Sequence, residues 1–551
     1  MGAQAQNEER ASIGESVQTL DSRAFSWTNP VLNRYVHDFA SVSSLFSGNS
    51  AVADDWRTTI RRVVASRVGV PTSVSVLLPQ LAARRAPTAA LDAAARLARP
   101  GAVAVVTGQQ AGLFGGPLYT LLKAITALRL ARWVEAEFDA PAVPIFWVES
   151  EDHDWAEIRS ATFLDRHASL ASATAIDPPG AGVQPVAALE LCDGDPVLKT
   201  LADQLAPTEF SGSLLDMLGR HYRPGTGVVR AFAGWMDELL GSEGLVVFEA
   251  HDPAAKPLAG SILARELEYP GRTAALVRRR ATLLRSMGFE PQVEPAEHAP
   301  CLFYLNDRGR HPLGRSDGNA DGDSEITTLQ KEVAEKPQRF SPNVLLRPIV
   351  QDRLFPTVCY VAGPSELVYQ SQLKDVYASF ELEPPLIHPR LSATLLDASA
   401  ARFLTRYGLS VADLHADHES ILRKLVAREL PPGLEDIFVS AERALIEQVA
   451  GLRPVVAQVD QTLAGAVDTS IAHVRQVLVN LQGKAFQAAK RKNETLRRQL
   501  DRTQTLVFPG RVPQERGLSA LTFLNRHGLA LRDRLLELDP FSGGRHHVLT
   551  F

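Results

Sequence analysis

The segment AVAVVTGQQAGLFGGPLYT, residues 102–120, decides the fold. It begins with five apolar residues, Ala102–Val106, continues through a loop with four glycines, and runs into an amphipathic helical pattern near residues 118–137. An uninterrupted apolar run is typical of a strand buried on both faces, and such strands belong to parallel sheets covered by helices. The segment therefore predicts the first strand, turn and helix of an α/β domain.

Three further apolar runs repeat this pattern at residues 143–148, 244–249 and 358–362, each beside a helical stretch. Strands that alternate with helices predict one open parallel sheet, in which ligands bind beyond the carboxyl ends of the strands. Polar clusters follow several of these runs directly, so we expect the functional site at that edge.

The rest of the chain divides around this core. Two long stretches interrupt the pattern and are interpreted as insertions packed on the sheet, and the polar N-terminus is expected to be disordered. The predicted boundaries are 1–24 for the disordered segment, 25–162, 243–298 and 342–396 for the core, 163–242 and 299–341 for the insertions, 397–508 for a helical coiled-coil region, and 509–551 for a C-terminal helix and tail docked on the core.

The helical region has a heptad-like seam. From Val449 to Ala488 apolar residues recur at steps of three and four, and Pro454 is expected to kink or restart the helix. A seam of this length needs a partner, which is either the second arm of an antiparallel hairpin or a second subunit.

Composition excludes several classes. The 551 residues carry a formal charge of −5 and are 45% hydrophobic, which excludes a wholly disordered chain and a global basic field for nucleic acid. Three widely separated cysteines cannot form a disulfide framework or a Cys-rich zinc module. The chain contains no run of about 18 apolar residues, so no membrane span is predicted. We therefore expect a cytoplasmic protein with small-molecule substrates and neither nucleic acid nor membrane as a partner.

The first polar cluster is the glycine loop. Its glycines allow a close backbone approach, and the helix that follows presents free N–H groups that suit a phosphate or carboxylate. The alternative is a turn that packs the helix tightly on the sheet. The residues predicted to bind substrate or nucleotide here are Gly108, Gln109, Gln110, Gly112, Gly115, Gly116 and Tyr119.

The second cluster follows the run at 143–148. Glu151, Asp152, His153 and Asp154 could hold an amine or Mg²⁺, with His153 as general base, and Trp155 adjoins them. Asp152, His153 and Asp154 are the predicted catalytic residues, and no metal ligand is assigned. The alternative is a solvated acidic loop in which Asp154 caps a helix.

The third cluster follows the run at 358–362. It consists of Gly363, Pro364, Ser365 and Glu366, with Tyr369 on the helix after it, and Asn343 and Arg347 precede the same run. Arg347 could hold a carboxylate or phosphate bidentately. The alternatives are a helix cap at Gly363–Ser365 and a structural ion pair at Arg347. A basic stretch at 490–492 is expected to be solvated, and His546 and His547 are expected to belong to a docked tail.

These motifs, taken together, resemble a known family. Residues 107–120, 151–154, 347–348 with 355–357, 362–366, 489–494 and the ending at 540–548 resemble, in order, the bacillithiol synthase family of cysteine-adding enzymes. The resemblance runs from about Phe25 to the last residue. It implies the last step of bacillithiol biosynthesis, in which cysteine is joined to the amine of glucosaminyl malate. It also implies a Rossmann-like core with two connecting insertions and a coiled coil that pairs subunits into a homodimer.

The resemblance implies a distant kinship of the core with class I aminoacyl-tRNA synthetases. The chain lacks their His-x-Gly-His and Lys-Met-Ser-Lys-Ser stretches, so their ATP-handling residues cannot be carried over. Amide formation from a free carboxylate is nevertheless uphill, so ATP is the expected cofactor and Mg²⁺ its candidate companion. The competing interpretations are a metal-dependent hydrolase that uses residues 151–154 and a non-catalytic nucleotide-binding dimeric scaffold.

Overall fold

The computed structural model describes residues 17–67, 73–314, 322–429, 433–492 and 494–551, and at 322–326, 429 and 489–492 it describes the backbone alone. The strands are β1 Val17–Asp21, β2 Val103–Gln110, β3 Ala142–Glu149, β4 Ser160–Leu164, β5 Leu170–Thr174, β6 Val246–Glu249, β7 Leu302–Asn306, β8 Gly309–Pro312, β9 Phe340–Pro342, β10 Thr357–Ala362, β11 Leu386–Pro389, β12 Ala393–Leu396 and β13 Arg545–Thr550. The helices of the first two thirds of the chain are α1 Pro30–His37, α2 Ala53–Ser66, α3 Val74–Arg84, α4 Thr88–Arg96, α5 Leu118–Phe138, α6 Trp155–Ile158, α7 Val197–Gln204, α8 Ser211–His221, α9 Val228–Leu240, α10 Lys256–Glu268, α11 Arg272–Ser286, α12 Gly322–Glu335, α13 Arg347–Leu354, α14 Pro364–Gln370 and α15 Lys374–Ser379. The remaining helices are α16 Ala398–Tyr407, α17 His418–Glu429, α18 Leu434–Gly451, α19 Arg453–Val459, α20 Ala464–Lys492, α21 Glu494–Val507, α22 Gln514–Gly517, α23 Leu521–His527 and α24 Ala530–Leu536.

A five-stranded parallel sheet organises the first unit of the chain. Its strand order is β11-β10-β2-β3-β6, and each of the four adjacent pairs is parallel. The apolar runs place their side chains on both faces, and helix α5 packs on β2 and β3. Burial of apolar surface on two faces stabilises such a sheet at roughly 25 cal/mol for each Å² removed from water. The predicted α/β parallel-sheet core is confirmed.

Strand β2 extends farther than its apolar run. Gly108 pairs with Trp147 and Gln110 with Glu149, so these residues lie on the strand and not in the turn expected for them. The ladder of β3 continues to Glu149 and gives the backbone of β2 hydrogen-bond partners beyond Val106. Because successive side chains of a strand point to opposite faces, Gln109 and Gln110 face different sides of the sheet.

Residues 17–24 are ordered, in contrast to the disorder expected for 1–24. Strand β1 pairs antiparallel with β13, and a 3-10 turn follows at Ser22–Ala24. The Ser22 N–H donates to the carbonyl of Gly544 at 2.8 Å. A polar composition did not indicate this strand, because the hydrogen bonds that hold it come from the other end of the chain.

The two interruptions of the sheet have their own structure. Between β3 and β6 lie helix α6, the antiparallel β4–β5 hairpin and helices α7 to α9. Between β6 and β10 lie a three-stranded antiparallel sheet, β8-β7-β9, and helices α10 to α13. Both excursions begin at the carboxyl end of a core strand, so their first residues lie at the edge where a ligand is expected.

Residues 396–511 form a second, helical unit with Thr550–Phe551. Ion pairs join Glu442 of α18 to Arg475 of α20 at 2.7 Å, and Arg453, at the start of α19, to Asp468 of α20. The chain from Glu442 to Arg453 therefore runs antiparallel to α20. The continuous seam expected from the apolar spacing is interrupted, because the backbone of Asp460 is extended (φ −158°) and ends α19. The helix restarts at Arg453 with Pro454 in its first turn, as expected. Among the described residues, no helix combines the length and the apolar character needed to cross a bilayer.

The tail from Val512 to Leu549 belongs to the first unit. The Leu518 carbonyl accepts a hydrogen bond from the Leu118 N–H, and β13 lies between β1 and β12. His546 is buried, with one ring nitrogen 2.8 Å from the Ser392 hydroxyl and the other 2.8 Å from the Thr394 hydroxyl. His546 thus holds the tail against Ser392 and Thr394.

His546 is expected to make the protein sensitive to acid. Burial lowers the pKa of its ring to about 4, whereas the pKa of a histidine in the unfolded chain is about 6.5. Between these two pH values the unfolded chain binds a proton that the folded chain does not bind. Stability is therefore complete above pH 6.5 and falls by up to about 3 kcal/mol as the pH drops to 4. Urea unfolding at several pH values should show a smaller fall in His546→Gln. The exposed His167→Gln serves as control, and an equal fall in both variants would contradict the assignment.

Candidate active site

The glycine turn after β2 is closely packed. A Cβ on Gly112 would lie 2.8 Å from the Gly116 Cα, and one on Gly115 would lie 2.8 Å from the Trp235 Nε1. Gly115 and Gly116 have φ of +93° and +69°, which other residues adopt only with strain. Their N–H groups donate to the carbonyls of Gly112 and Leu113 within the turn. Both amides thus already have protein partners.

Two amides in the first turn of helix α5 also have protein partners. Pro117 has no N–H, the Leu118 N–H donates to the Leu518 carbonyl at 2.8 Å, and the Thr120 N–H donates to the Pro117 carbonyl at 2.9 Å. These amides were expected to receive an anion. Because they bond within the chain, the geometry favours the alternative role of this turn, which is to hold α5 tightly on the sheet.

Replacing Gly115 with alanine is expected to destabilise the protein strongly. The positive φ costs about 1–2 kcal/mol, and contact with the Trp235 ring adds about 1–3 kcal/mol of overpacking. Gly101→Ala is the matched control, since its φ is +75° with nothing within 4 Å of the added Cβ. Denaturant unfolding of both variants should give the larger loss for Gly115→Ala, and equal losses would exclude the packing contribution.

Lys123 and Glu366 form a buried ion pair at the carboxyl edge of the sheet. The Lys123 Nζ lies 2.6 Å from the Glu366 Oε2, and it also donates to the Gly108 carbonyl and, at 3.2 Å, to the Gln109 Oε1. Burial lowers the pKa of Lys123, which Glu366 opposes. Burial disfavours the ionised Glu366, but the Lys123 ammonium outweighs this effect and lowers the pKa of the carboxyl. The short distance between their charged atoms makes the two groups an ion pair.

Glu366 is held by its own helix as well. The Gly363 N–H donates to the Glu366 Oε2 at 2.6 Å, which closes a capping arrangement at the start of α14. The Tyr360 hydroxyl donates to the other carboxylate oxygen at 2.8 Å. The predicted helix-cap role of Gly363 is thus present, and the cap also fixes Glu366 beside Lys123.

Arg347 connects this pair to the end of β3. Its guanidinium donates to the Tyr369 hydroxyl at 3.2 Å, to the Tyr360 hydroxyl at 3.5 Å and to the Gln351 Oε1 at 2.9 Å. Its Nε lies 3.9 Å from the Glu149 Oε2. Arg347 is buried, and most of its partners are neutral. The Arg347 cation is therefore buried with its carboxylate partner, Glu149, beyond hydrogen-bond distance.

A cavity of about 180 Å³ opens beside these groups. The residues that line it are Gln109, Tyr119, Lys123, Gly363, Pro364, Ser365, Glu366, Arg390 and Arg516. The guanidinium of Arg390 pairs with Glu515 at 2.6 Å, and the Arg390 and Arg516 guanidinium groups lie 5.5 and 5.8 Å from the centre of the Tyr119 ring. The lining holds three cations and the Glu366 carboxylate, and this excess of positive charge suits a ligand that carries carboxylate or phosphate groups.

The acidic cluster lies beside the ends of β2 and β3. Glu151 is buried in an ion pair with Lys256, and Asp152 pairs with Arg310 at 3.2 Å. The Gln110 amide donates to the second oxygen of Asp152 at 3.0 Å. The carboxylates of Glu151 and Asp152 were expected to face an amine or a metal, but each already has a cation from the protein. Among the described residues, no three His, Cys, Asp or Glu side chains gather to hold a metal.

Three predicted site residues have structural roles. The Asp154 side chain accepts from the Glu157 N–H and caps α6, as the alternative interpretation proposed. Trp155 is buried, and its ring N–H donates to Asp177 at 2.8 Å. The Asn343 side chain accepts from the N–H groups of residues 345 and 346, ahead of α13.

The structure joins some predicted residues and separates others. Gln109, Tyr119, Gly363, Pro364, Ser365 and Glu366 share the cavity, whereas His153 lies 42% exposed beside Asp152 and does not line it. The side chains of residues 490–492 lie outside the described part of the chain. The partners that the sequence analysis did not assign are Lys123, Lys256, Arg310, Arg390 and Arg516. Lys123 had a signal, since it interrupts an otherwise apolar helix, but the others stand in no motif.

Comparisons with known proteins agree along most of the chain. The family model of the bacillithiol biosynthesis BshC N-terminal Rossmann-like domain matches residues 17–391, and that of the BshC C-terminal coiled-coil domain matches residues 393–551. A protein of Salinibacter ruber is 34% identical over 94% of this chain and 95% of its own length. Relatives from Solibacter usitatus and Geobacillus thermodenitrificans are 33% and 30% identical over 85% and 81% of this chain and 88% and 84% of their own.

All three relatives carry the name "Putative cysteine ligase BshC". That name favours a ligase over the metal-dependent hydrolase and the nucleotide-binding scaffold. The matched domains agree with the parallel sheet and the helical hairpin described above, and they support the resemblance drawn from the motifs. The chain belongs to the bacillithiol biosynthesis BshC family.

Proposed function

We propose that the protein joins the carboxyl group of cysteine to the amine of glucosaminyl malate, with ATP, in the last step of bacillithiol biosynthesis. Family membership supports the reaction class. The observation that carries the site is the cavity beside the Lys123–Glu366 pair, whose lining combines cations with the ends of β2 and β10. The new bond is a carbon–nitrogen amide bond.

The charges of the cavity suit the proposed substrates. Condensation of a carboxylate with an amine requires an activated carboxyl group, and the malate part of the acceptor and the phosphates of ATP are anionic. Lys123, Arg390 and Arg516 would offset these charges, and Arg347 lies next to the same edge. Electrostatic stabilisation by fixed groups of this kind is usually the largest catalytic contribution of a protein. No residue is assigned to Mg²⁺, which would accompany the nucleotide.

Assembly and location are proposed in the same way. The helical hairpin exposes apolar side chains, such as Val455 at 60% and Val459 at 80%, which a second subunit would cover in a homodimer. We place the enzyme in the cytoplasm, where its soluble substrates are made and its cysteines stay reduced.

The test is an assay of the purified protein with cysteine, glucosaminyl malate and ATP. We expect a product that requires all three compounds, and either AMP or ADP in equal amount, which identifies an adenylate or an acyl phosphate. Omission of each substrate in turn is the control. Product formed without ATP would overturn the activation step, and no product under any condition would overturn the proposed reaction.

A further inference from the structure

Three carboxylates at the end of β3, those of Glu149, Glu151 and Asp152, lie near cations of the protein, and Glu149 is the farthest from its cation. Glu151 pairs with Lys256, and Asp152 pairs with Arg310 at 3.2 Å. The Glu149 Oε2 is 3.9 Å from the Arg347 Nε, beyond hydrogen-bond distance, and has no hydrogen-bond partner among the described residues. Its Oε1 receives a single 3.4 Å hydrogen bond from the Glu151 N–H. Glu149 is thus the carboxylate of this cluster that is left to bind another group.

Two polar atoms on residues that contact Asp152 also lack hydrogen bonds. The Arg310 Nε is buried without one inside the described part of the chain, and so is the His153 Nδ1, which lies 3.4 Å from the Asp152 Oδ1. Buried polar atoms nearly always have partners in folded proteins. Several buried polar atoms without hydrogen bonds at the end of β3 therefore indicate that a polar ligand binds there and supplies the missing partners.

The position of Glu149 suits an amine. It is the last residue of β3 and is linked to the cavity through Arg347, whose Nε lies 3.9 Å from the Glu149 Oε2. The Arg347 guanidinium also contacts the Tyr360 hydroxyl, which donates to Glu366 in the cavity lining. Burial raises the pKa of Glu149, Arg347 opposes this effect, and Glu151 adds to it. A carboxylate whose pKa is nearer to neutral accepts a proton more readily from a substrate.

We propose that Glu149 binds the amine of the acceptor substrate and takes its proton as the amide forms. This inference rests on the proposed function. The amine nitrogen forms a bond to the carboxyl carbon of cysteine, and the bond from that carbon to the activating phosphate oxygen breaks. The phosphate leaves with that electron pair, and one proton passes from nitrogen to the Glu149 carboxylate. The half-exposed His153 is not needed as the base.

Glu149→Gln tests this role, with Glu249→Gln as the matched control. Glu249 ends the neighbouring strand β6, and its partner Arg84 keeps a second carboxylate, Asp237, when Glu249 is neutralised. Calorimetry would measure binding of glucosaminyl malate and of its N-acetylated form. We expect the wild type and Glu249→Gln to bind the free amine more tightly than the N-acetylated form. In Glu149→Gln the ratio of the two dissociation constants should fall by at least about tenfold, as expected for a lost charged hydrogen bond.

Turnover is measured separately from binding. Glu149→Gln is expected to lower kcat by about 10²- to 10⁴-fold, as for loss of a general base, while ATP consumption that depends on cysteine alone continues. An unchanged preference for the free amine in Glu149→Gln would overturn the inference, and so would a wild type that binds neither form. If the wild type yields no product but its amine preference still depends on Glu149, the proposed reaction fails while the amine site stands.

Discussion

Replacing Lys123 with methionine is expected to lower ligase activity by at least about 100-fold and to destabilise the fold by about 3–5 kcal/mol. The methionine removes the cation of the cavity that is most deeply buried, with a side chain 1% exposed. It also leaves the Glu366 carboxylate, whose side chain is 22% exposed, without its cation. Uncompensated buried charges account for the loss of stability, whereas the lost positive charge near the anionic substrates accounts for the loss of activity.

The double variant Lys123→Met/Glu366→Gln separates these two effects. Both members of the pair are then neutral and similar in size, so most of the stability is expected to return. Activity is expected to stay low, because the cation is still missing. Urea unfolding and the product assay on the wild type, the single variant and the double variant are the measurements. Activity that returns together with stability would show that Lys123 serves the fold alone.

Replacing Arg84 with methionine is expected to cost about 3–5 kcal/mol of stability. The Arg84 side chain is 1% exposed and lies 2.6 Å from Asp237 and 2.5 Å from Glu249, so its loss leaves two buried carboxylates without a cation. Burial raises the pKa of Asp237 to about 6 in spite of Arg84. Asp237 thus stabilises the fold fully below its unfolded pKa near 3.8, and this contribution is lost as the pH rises through 6.

The deficit of Arg84→Met should therefore be largest above pH 6 and smaller at pH 5, where Asp237 takes up a proton. Urea unfolding at pH 5 and pH 8 measures this difference. Arg132→Met is the matched control, because the Arg132–Glu243 pair is 43% and 25% exposed and should contribute less than about 1 kcal/mol. Equal deficits for the two variants would contradict the role of burial.

The sheet could be predicted from the sequence because its signal is local. Residues 102–106 and 143–148 are apolar without a break, and that pattern has few alternatives in a soluble chain. The N-terminal strand could not be found in this way, because Val17–Asp21 is ordered by hydrogen bonds to Arg545–Thr550 at the other end of the sequence. The break at Asp460 was missed because apolar spacing continues across it.

The site was predictable in part for the same reason. Motifs at the ends of β2 and β10 identified Gln109 and Glu366, which share the cavity. The ion partners of the acidic cluster were not predictable, because Lys256 and Arg310 are distant from it in sequence and belong to no recognisable motif. Because these two cations carry no local signal, Glu151 and Asp152 were expected to be free for a substrate.

A crystal structure of the protein with glucosaminyl malate bound would show directly whether this substrate binds at the carboxyl edge of the sheet. We expect the ligand to contact Gln109 at the end of β2, Glu149 at the end of β3 and Glu366 after β10, with its amine against Glu149. Binding of glucosaminyl malate at any surface that includes none of these three residues would contradict the account.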